Sequence, residues 1–246
     1  MSPLDELIPI LKRLKLTGVL DTLELRQRQA TDEPLSHAEF LLRLLTDEVE
    51  RREQKKLDLR LRRAHFEAHK TLEDFDFAFN RSIPRDKVTD LATCLFVGRK
   101  QNVLLLGPTG TGKTHIAQAL GHRACAAGHT VLFLSASRML AELRASRADA
   151  SYDRALERLT KPDLLILDDL GLRPLSHDEP ADLYELIRVR YERGSLLITS
   201  NRALEEWPPL FRDDLLATAA LDRLLHHAST LVLDGHSFRN PPQRAA

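Results

Sequence analysis

The chain has 246 residues, 43% of them apolar, and its 36 lysines and arginines balance 36 aspartates and glutamates to a formal net charge of zero. That length suits one large domain or a domain with a smaller attachment, and zero net charge excludes a global basic field, so any nucleic-acid surface must be local. Asp5, Glu6, Lys12 and Arg13 interrupt the N-terminus too early for a signal-peptide core, and no uncharged run is long enough for a membrane span. Cys94 and Cys125 sit in apolar helical patterns without a C-x-x-C neighbour. Buried thiols in a soluble, cytoplasmic protein are therefore expected.

Residues 1–70 read as helical throughout. Leu4, Leu7, Ile8, Leu11 and Leu14 form a helical stripe that Pro9 is expected to interrupt, and a second helical piece covers Gly18–Arg28. Thr31–Pro34 breaks the chain. Ser36-His37-Ala38-Glu39 then supplies a capping box for a long helix, expected from Ser36 to about Ala68. Between residues 51 and 70 eight basic side chains stand against three acidic ones. The run Arg51, Arg52, Lys55, Lys56, Arg60, Arg62, Arg63 is either a solvated face with intrahelical ion pairs or a contact surface for DNA phosphates.

Phe75, Phe77 and Phe79 alternate with Asp74, Asp76 and Ala78, which suggests a short extended piece. It would pack near a nucleotide base or fill a junction. Pro84–Val97 reads as one helix closed by Gly98.

Residues 103–114, Val-Leu-Leu-Leu-Gly-Pro-Thr-Gly-Thr-Gly-Lys-Thr, carry the strongest signal. A buried strand, Val103–Leu106, enters a loop fitting G-x-x-x-x-G-K-[ST], and a helix follows over His115–Ala127. The loop Gly107, Pro108, Thr109, Gly110, Thr111 and Gly112 can wrap a phosphate, the N–H groups of its non-proline residues aimed at phosphate oxygens at the positive end of the helix dipole. Lys113 can reach the β- and γ-phosphates, and the Thr114 hydroxyl can ligate Mg²⁺. ATP with Mg²⁺ is the expected cofactor pair.

Beyond the loop, strand and helix signals alternate. Strands are expected at Thr130–Leu134, Leu164–Leu167, Leu196–Thr199 and Thr230–Leu233, with helices at Ser137–Arg147, Tyr152–Leu159, Asp178–Arg193 and Ala219–His227. Uniformly apolar strands alternating with helices indicate an α/β fold with a five-stranded parallel sheet covered on both faces, behind a small helical N-terminal domain. The expected division is 1–70 and 71–246.

The third strand delivers Asp168 and Asp169 at its C-terminal edge. Asp168 would hold Mg²⁺, and Asp169 would orient and deprotonate the attacking water. The fourth strand ends Thr199-Ser200-Asn201, which places Asn201 where it could hold that water. An Asp-Asp-Leu-Gly turn and a Ser-Asn loop are the plainer readings of the same residues.

The glycine-rich loop, acidic pair and strand-end Asn occur in the order seen in AAA+ ATPases. Taken with Leu42–Arg63, Thr71–Asp76, Asn102–Thr114, Asp168–Gly171, Thr199–Asn201 and Leu221–Ala228, the chain more closely resembles the IstB family. These are ATP-dependent helpers of bacterial insertion sequences, related to the helicase loader DnaC. The resemblance implies an ATPase that binds double-stranded DNA, forms a homo-oligomer with ATP sites at subunit interfaces, and regulates a transposase. It also implies that Arg223 inserts into a neighbour's ATP site and that Arg239, in Ser237-Phe238-Arg239, senses nucleotide. The acidic pair is Asp-Asp where general AAA+ proteins have Asp-Glu, so the base is shorter. Only thirteen residues follow Leu233 in this sequence, so no C-terminal helical lid domain is expected. A DnaC-like helicase loader is the alternative with nearly the same ATPase module. A P-loop metabolite kinase is disfavoured by the acidic pair and the strand-end Asn, and a nucleotide-gated scaffold that barely hydrolyses stays open. His115, His122 and His129 fall seven residues apart with no completing ligands, so no zinc site is expected.

Overall fold

The fold is that of a computed structural model, which describes residues 3–33, 35–80 and 83–238. The chain divides into two compact units, Met1–Leu59 and Arg60–Ala246.

The first unit contains α1 (Pro3–Arg13), α2 (Thr17–Asp32) and most of α3 (His37–Ala64). Pro9 lies inside α1 and does not interrupt it. One missing N–H is tolerated there because the stripe on either side, through Leu4 and Leu11, packs with Val19, Leu23 and Leu44. The expected capping box opens α3: Ser36 N–H donates to Glu39 at 2.8 Å, and Glu39 N–H donates back to Ser36 Oγ at 3.2 Å. The helix ends at Ala64, one turn short of expectation, because His65 turns left-handed at φ 58°.

The second unit begins with the segment leading into the phosphate loop. Residues 71–79 are turns, so the expected extended piece is absent. Short polar side chains explain the difference. Asp76 Oδ1 accepts the N–H groups of Ala78 (2.8 Å) and Phe79 (3.2 Å), and Thr71 and Asp74 bond to each other, so the backbone is satisfied locally and joins no ladder. The single helix expected over Pro84–Val97 is likewise two, α4 (Arg85–Leu91) and α5 (Leu95–Gly98), separated where Cys94 adopts φ 58°. The break turns both Phe96 and Val97 into the core.

Five parallel strands follow: β1 (Val103–Leu106), β2 (Val131–Ser135), β3 (Leu164–Leu170), β4 (Ser195–Ser200) and β5 (Ser229–Val232), in spatial order β2-β3-β4-β1-β5. Their crossovers carry α6 (Lys113–Ala126), α7 (Ala136–Ala148), α8 (Tyr152–Thr160), α9 (Glu179–Arg190), α10 (Pro208–Phe211) and α11 (Asp214–Leu225). Alternate strand residues (Leu104, Leu132, Leu165, Ile198) pack with Met139, Leu183, Leu186 and Leu224 in one continuous core. The alternate set, Leu105, Phe133, Ile166 and Leu197, is equally buried. A sheet covered on both faces needs such uniformly apolar strands, as the sequence predicts. Because all strands run the same way, their carboxyl ends share one edge, the place where open α/β sheets bind ligands. Among the described residues no helix is long and apolar enough to cross a membrane.

Candidate nucleotide site

The phosphate loop leaves β1 at Leu106 and is anchored at once, Gly107 N–H donating to Ser200 O at 3.2 Å. Gly107 (φ 137°) and Gly112 (φ 96°) hold conformations that side chains rarely adopt. A Cβ at Gly107 would run into the Leu233 carbonyl, and one at Gly112 into the Phe75 ring. Lys113 opens α6 directly after this turn. Its Nζ donates to Gly107 O and Pro108 O, 2.7 Å each, so the ammonium is held against the loop it would serve. Thr111 Oγ1 donates to Pro108 O at 2.9 Å and closes the turn. Thr109 is exposed and Gly110 half-buried.

Two flanking segments brace the loop. Phe75 packs edge-on against His115, with centroids 5.1 Å apart, and His115 Nε2 lies 2.7 Å from Thr71 O. On the other side, Phe238 N–H donates to Gly110 O at 3.0 Å. The buried Asn80 amide joins the two segments, accepting from His236 N–H and donating to His236 O, both at 3.0 Å.

The acidic pair stands at the same edge. Asp168 pairs with Ser135 across the sheet and is 6% exposed. Thr114 Oγ1 lies 3.0 Å from both Asp168 oxygens, and Thr199 Oγ1 donates to Oδ1 at 2.6 Å. Burial pushes the Asp168 carboxyl above the ordinary carboxylate range, the Thr199 hydrogen bond opposes this, and the negative charge of Asp169 adds to it. Asp169, half-buried, has φ 58°. Beyond it, Ser200 Oγ donates to Leu170 O at 2.7 Å and Arg202 Nε to Gly171 O at 2.6 Å, fixing the turn that follows.

The structure places the loop, Lys113, Thr114, Asp168 and Asp169 at one edge of the sheet, and Asn201 sits half-buried at the tip of β4. Arg223 does not join them. It lies on α11, donates to Ala219 O at 2.8 Å and stands 5.5 Å from the Tyr184 ring centre. Arg239 lies outside the described residues. The basic run is largely engaged: Arg51 pairs with Asp21, Arg52 with Glu48 at 2.6 Å, Lys56 with Glu53 at 2.6 Å, and Arg60 donates to Cys125 O at 2.9 Å. Both cysteines are buried free thiols, pushed up to about 11 by burial. Sequence reasoning named Thr199 only as part of the strand end and missed its role, and it missed Arg202. A hydroxyl late in the apolar run Leu196-Leu197-Ile198 was the available signal, since a hydroxyl buried in a strand needs a hydrogen-bond partner.

The donor set, hard oxygens from a hydroxyl and a buried carboxylate beside a cation-bearing glycine loop, suits a divalent cation with a nucleoside triphosphate. Fold and site together define a P-loop nucleotide-binding protein of AAA+ type. The family profile described as IstB-like ATP binding protein matches residues 9–246, and the chain belongs to that family, which binds ATP. It is 41% identical over 243 residues to an ATP-binding protein of insertion sequence IS21 from Pseudomonas aeruginosa, covering 99% of this chain and 92% of the relative. An insertion-sequence ATP-binding protein of Mycobacterium tuberculosis is 44% identical over 230 residues, with 93% and 92% covered. The crystal structure of the DnaC helicase loader superposes with a TM-score of 0.53 at 18% identity, covering 70% of this chain and 97% of that one. The last likeness is one of fold.

Proposed function

We propose that the chain is an ATP-hydrolysing helper of insertion-sequence transposition that assembles on double-stranded DNA and regulates a partner transposase. The observation that carries the ATPase reading is the polar cluster at the strand edge, with Thr114 3.0 Å from both oxygens of a buried Asp168 and Asp169 next to it. The loop N–H groups and Lys113 bind and orient the phosphates, which requires the Lys113 ammonium to exchange two carbonyl partners for phosphate oxygens. Thr114 and Asp168 would hold Mg²⁺, whose chemistry there is to neutralise charge developing on the β,γ-phosphates. Asp169 takes the proton from the attacking water, and Asn201 positions that water. Arg223, placed apart from its own subunit's loop, completes the site of a neighbouring copy in a homo-oligomer. Residues 71–246 carry the ATP chemistry and residues 1–70 the DNA and partner contacts. The insertion-sequence relatives support the transposition context, and the likeness to a helicase loader supports the alternative of a DnaC-like role for the same module.

The test is ATP turnover with and without duplex DNA. Lys113→Ala should abolish it, and Asp169→Asn should retain ATP while losing hydrolysis. Arg223→Ala should lower turnover by about 10³-fold or more and recover part of it when mixed with Lys113→Ala. Turnover unchanged in Lys113→Ala defeats the site assignment. Stimulation of a helicase rather than of a transposase-catalysed strand transfer would favour the loader.

A further inference from the structure

We propose that Thr199 is a positioning residue of this site, bridging the two aspartates and holding Asp169 where it can act; this rests on the ATPase reading above. Thr199 is fully buried in β4, directly after the apolar Leu196–Ile198. Valine would fill the same volume without a polar atom to satisfy, so the hydroxyl needs an account. Its oxygen works in both directions. It donates to Asp168 Oδ1 at 2.6 Å and accepts the Asp169 N–H at 2.8 Å.

The ladder explains why that second bond matters. β3 pairs regularly with β4 up to Leu167↔Ile198, then shifts, and pairing resumes at Leu170↔Ser200. Within that irregularity Asp169 takes φ 58°, a costly conformation for a residue with a Cβ. Along a regular strand, adjacent side chains point to opposite faces, so Asp168 and Asp169 could not serve one site. A bulge re-aims one of them. The bulge leaves the Asp169 N–H without a ladder acceptor, and the Thr199 hydroxyl supplies one. The same hydroxyl fixes Asp168, so a single side chain sets both carboxylates relative to each other. Ser200 and Arg202 pin the next two carbonyls, Leu170 and Gly171, and keep the turn from relaxing beyond the bulge.

The experiment compares Thr199→Val and Thr199→Ser with the wild type in ATP turnover, binding of a non-hydrolysable ATP analogue, and crystal structure. In Thr199→Val, turnover should fall by about 10²-fold, the loss expected when a reacting group is misplaced by about 1 Å. Analogue affinity should stay within about 3-fold, because phosphate contacts come from the loop. The crystal structure should show residue 169 leaving the left-handed region. Thr199→Ser, which keeps the hydroxyl, should match wild type in all three readouts. If Thr199→Val does not fold, Thr199→Cys, with its weak S–H donor, takes its place with the same readouts. Unaltered turnover in the valine variant overturns the inference. So does lost turnover with Asp169 unmoved, or a serine variant as impaired as the valine. Should the wild type itself fail to hydrolyse ATP, the ATPase reading falls, and the position of residue 169 in the valine variant still decides the role of Thr199.

Discussion

The two units hold themselves together by different means. In Arg60–Ala246 a parallel sheet buries apolar side chains on both faces, and polar side chains buried with it, such as Asp168, Thr199, Asp182 and Arg190, are hydrogen-bonded. In Met1–Leu59 the buried apolar centre comprises Leu11, Val19, Leu23 and Leu44, and carboxylates on α3 do much of the latching. Glu48, 4% exposed, accepts the Gly18 N–H (2.5 Å) and Val19 N–H (3.3 Å) in the first turn of α2, while Asp47 pairs with Arg26 at 2.6 Å. Burial pushes the Glu48 carboxyl up, but Arg52 and these two amides outweigh it and the net shift is downward. Leu41, Leu42, Leu45 and Val49 of the same helix remain exposed. A helix trio with so little core depends on charge-assisted hydrogen bonds, which solvent conditions can weaken. A sheet closed on both faces depends on apolar area, on which charge screening and carboxylate protonation do not act directly.

Breaking the sheet unit at its strongest polar anchor should have the largest effect. Arg190, 1% exposed, donates to five carbonyls, those of Leu159, Thr160, Pro162, Asp163 and Ser195. Burial pushes its guanidinium down to about 10, so it stays charged at neutral pH. Arg190→Met strands those acceptors and should cost about 3 kcal/mol or more in urea unfolding, with ATP binding lost in parallel as the unit melts.

A smaller effect should appear in acid. Glu179, 3% exposed, is held down to about 2 by the Arg173 guanidinium, two bonds at 2.7 Å, despite the burial that opposes it. A depressed folded value means stability that is fully present above the unfolded carboxylate value and is lost as pH falls through the folded one. The window is therefore about pH 5 down to 2, and the contribution is about 2 kcal/mol after discounting for the half-exposed arginine. Wild type should exceed Glu179→Gln at pH 7, and unfolding measured at successive pH values should show the gap narrowing below pH 5. A constant gap would refute the linkage.

In the helical unit, Glu48→Ala should cost about 1–2 kcal/mol by removing the cap on α2. Hydrogen exchange should report it first at Gly18 and Val19, and ATP affinity should be unaffected. Loss of ATP binding in this variant would erase the distinction between the units. The smallest effect belongs to Lys56→Gln, since Lys56 and Glu53 are 60% and 58% exposed and such pairs contribute under about 0.5 kcal/mol. Combined with Arg51→Gln, Arg52→Gln and Lys55→Gln, the same change should flatten the salt dependence of DNA binding by up to about 0.9 for each phosphate left unneutralised. An unchanged slope would leave these side chains to their ion pairs with Asp21, Glu48 and Glu53.

Much of this was legible in the sequence because it is local. The apolar runs of β1, β3 and β4, the glycines of the phosphate loop and the Ser36–Glu39 cap are decided by neighbours within a few positions, and each lies where its residues predict. The failures share a cause. The alternation Phe75-Asp76-Phe77 reads as a strand until Asp76 is seen to spend its carboxylate on two local N–H groups. Residues 84–97 have helical periodicity throughout, but the core takes Phe96 and Val97 only if the chain turns at Cys94. That Asp168 and Asp169 neighbour a phosphate loop was likewise written in motif order. Which hydroxyl joins them was not: Thr199 is thirty residues from Asp169, and a bulge between two particular strands is what leaves the Asp169 N–H free to meet it. Local pattern determines which elements form, whereas pairings between residues far apart in the chain exist only once packing has brought their strands into register.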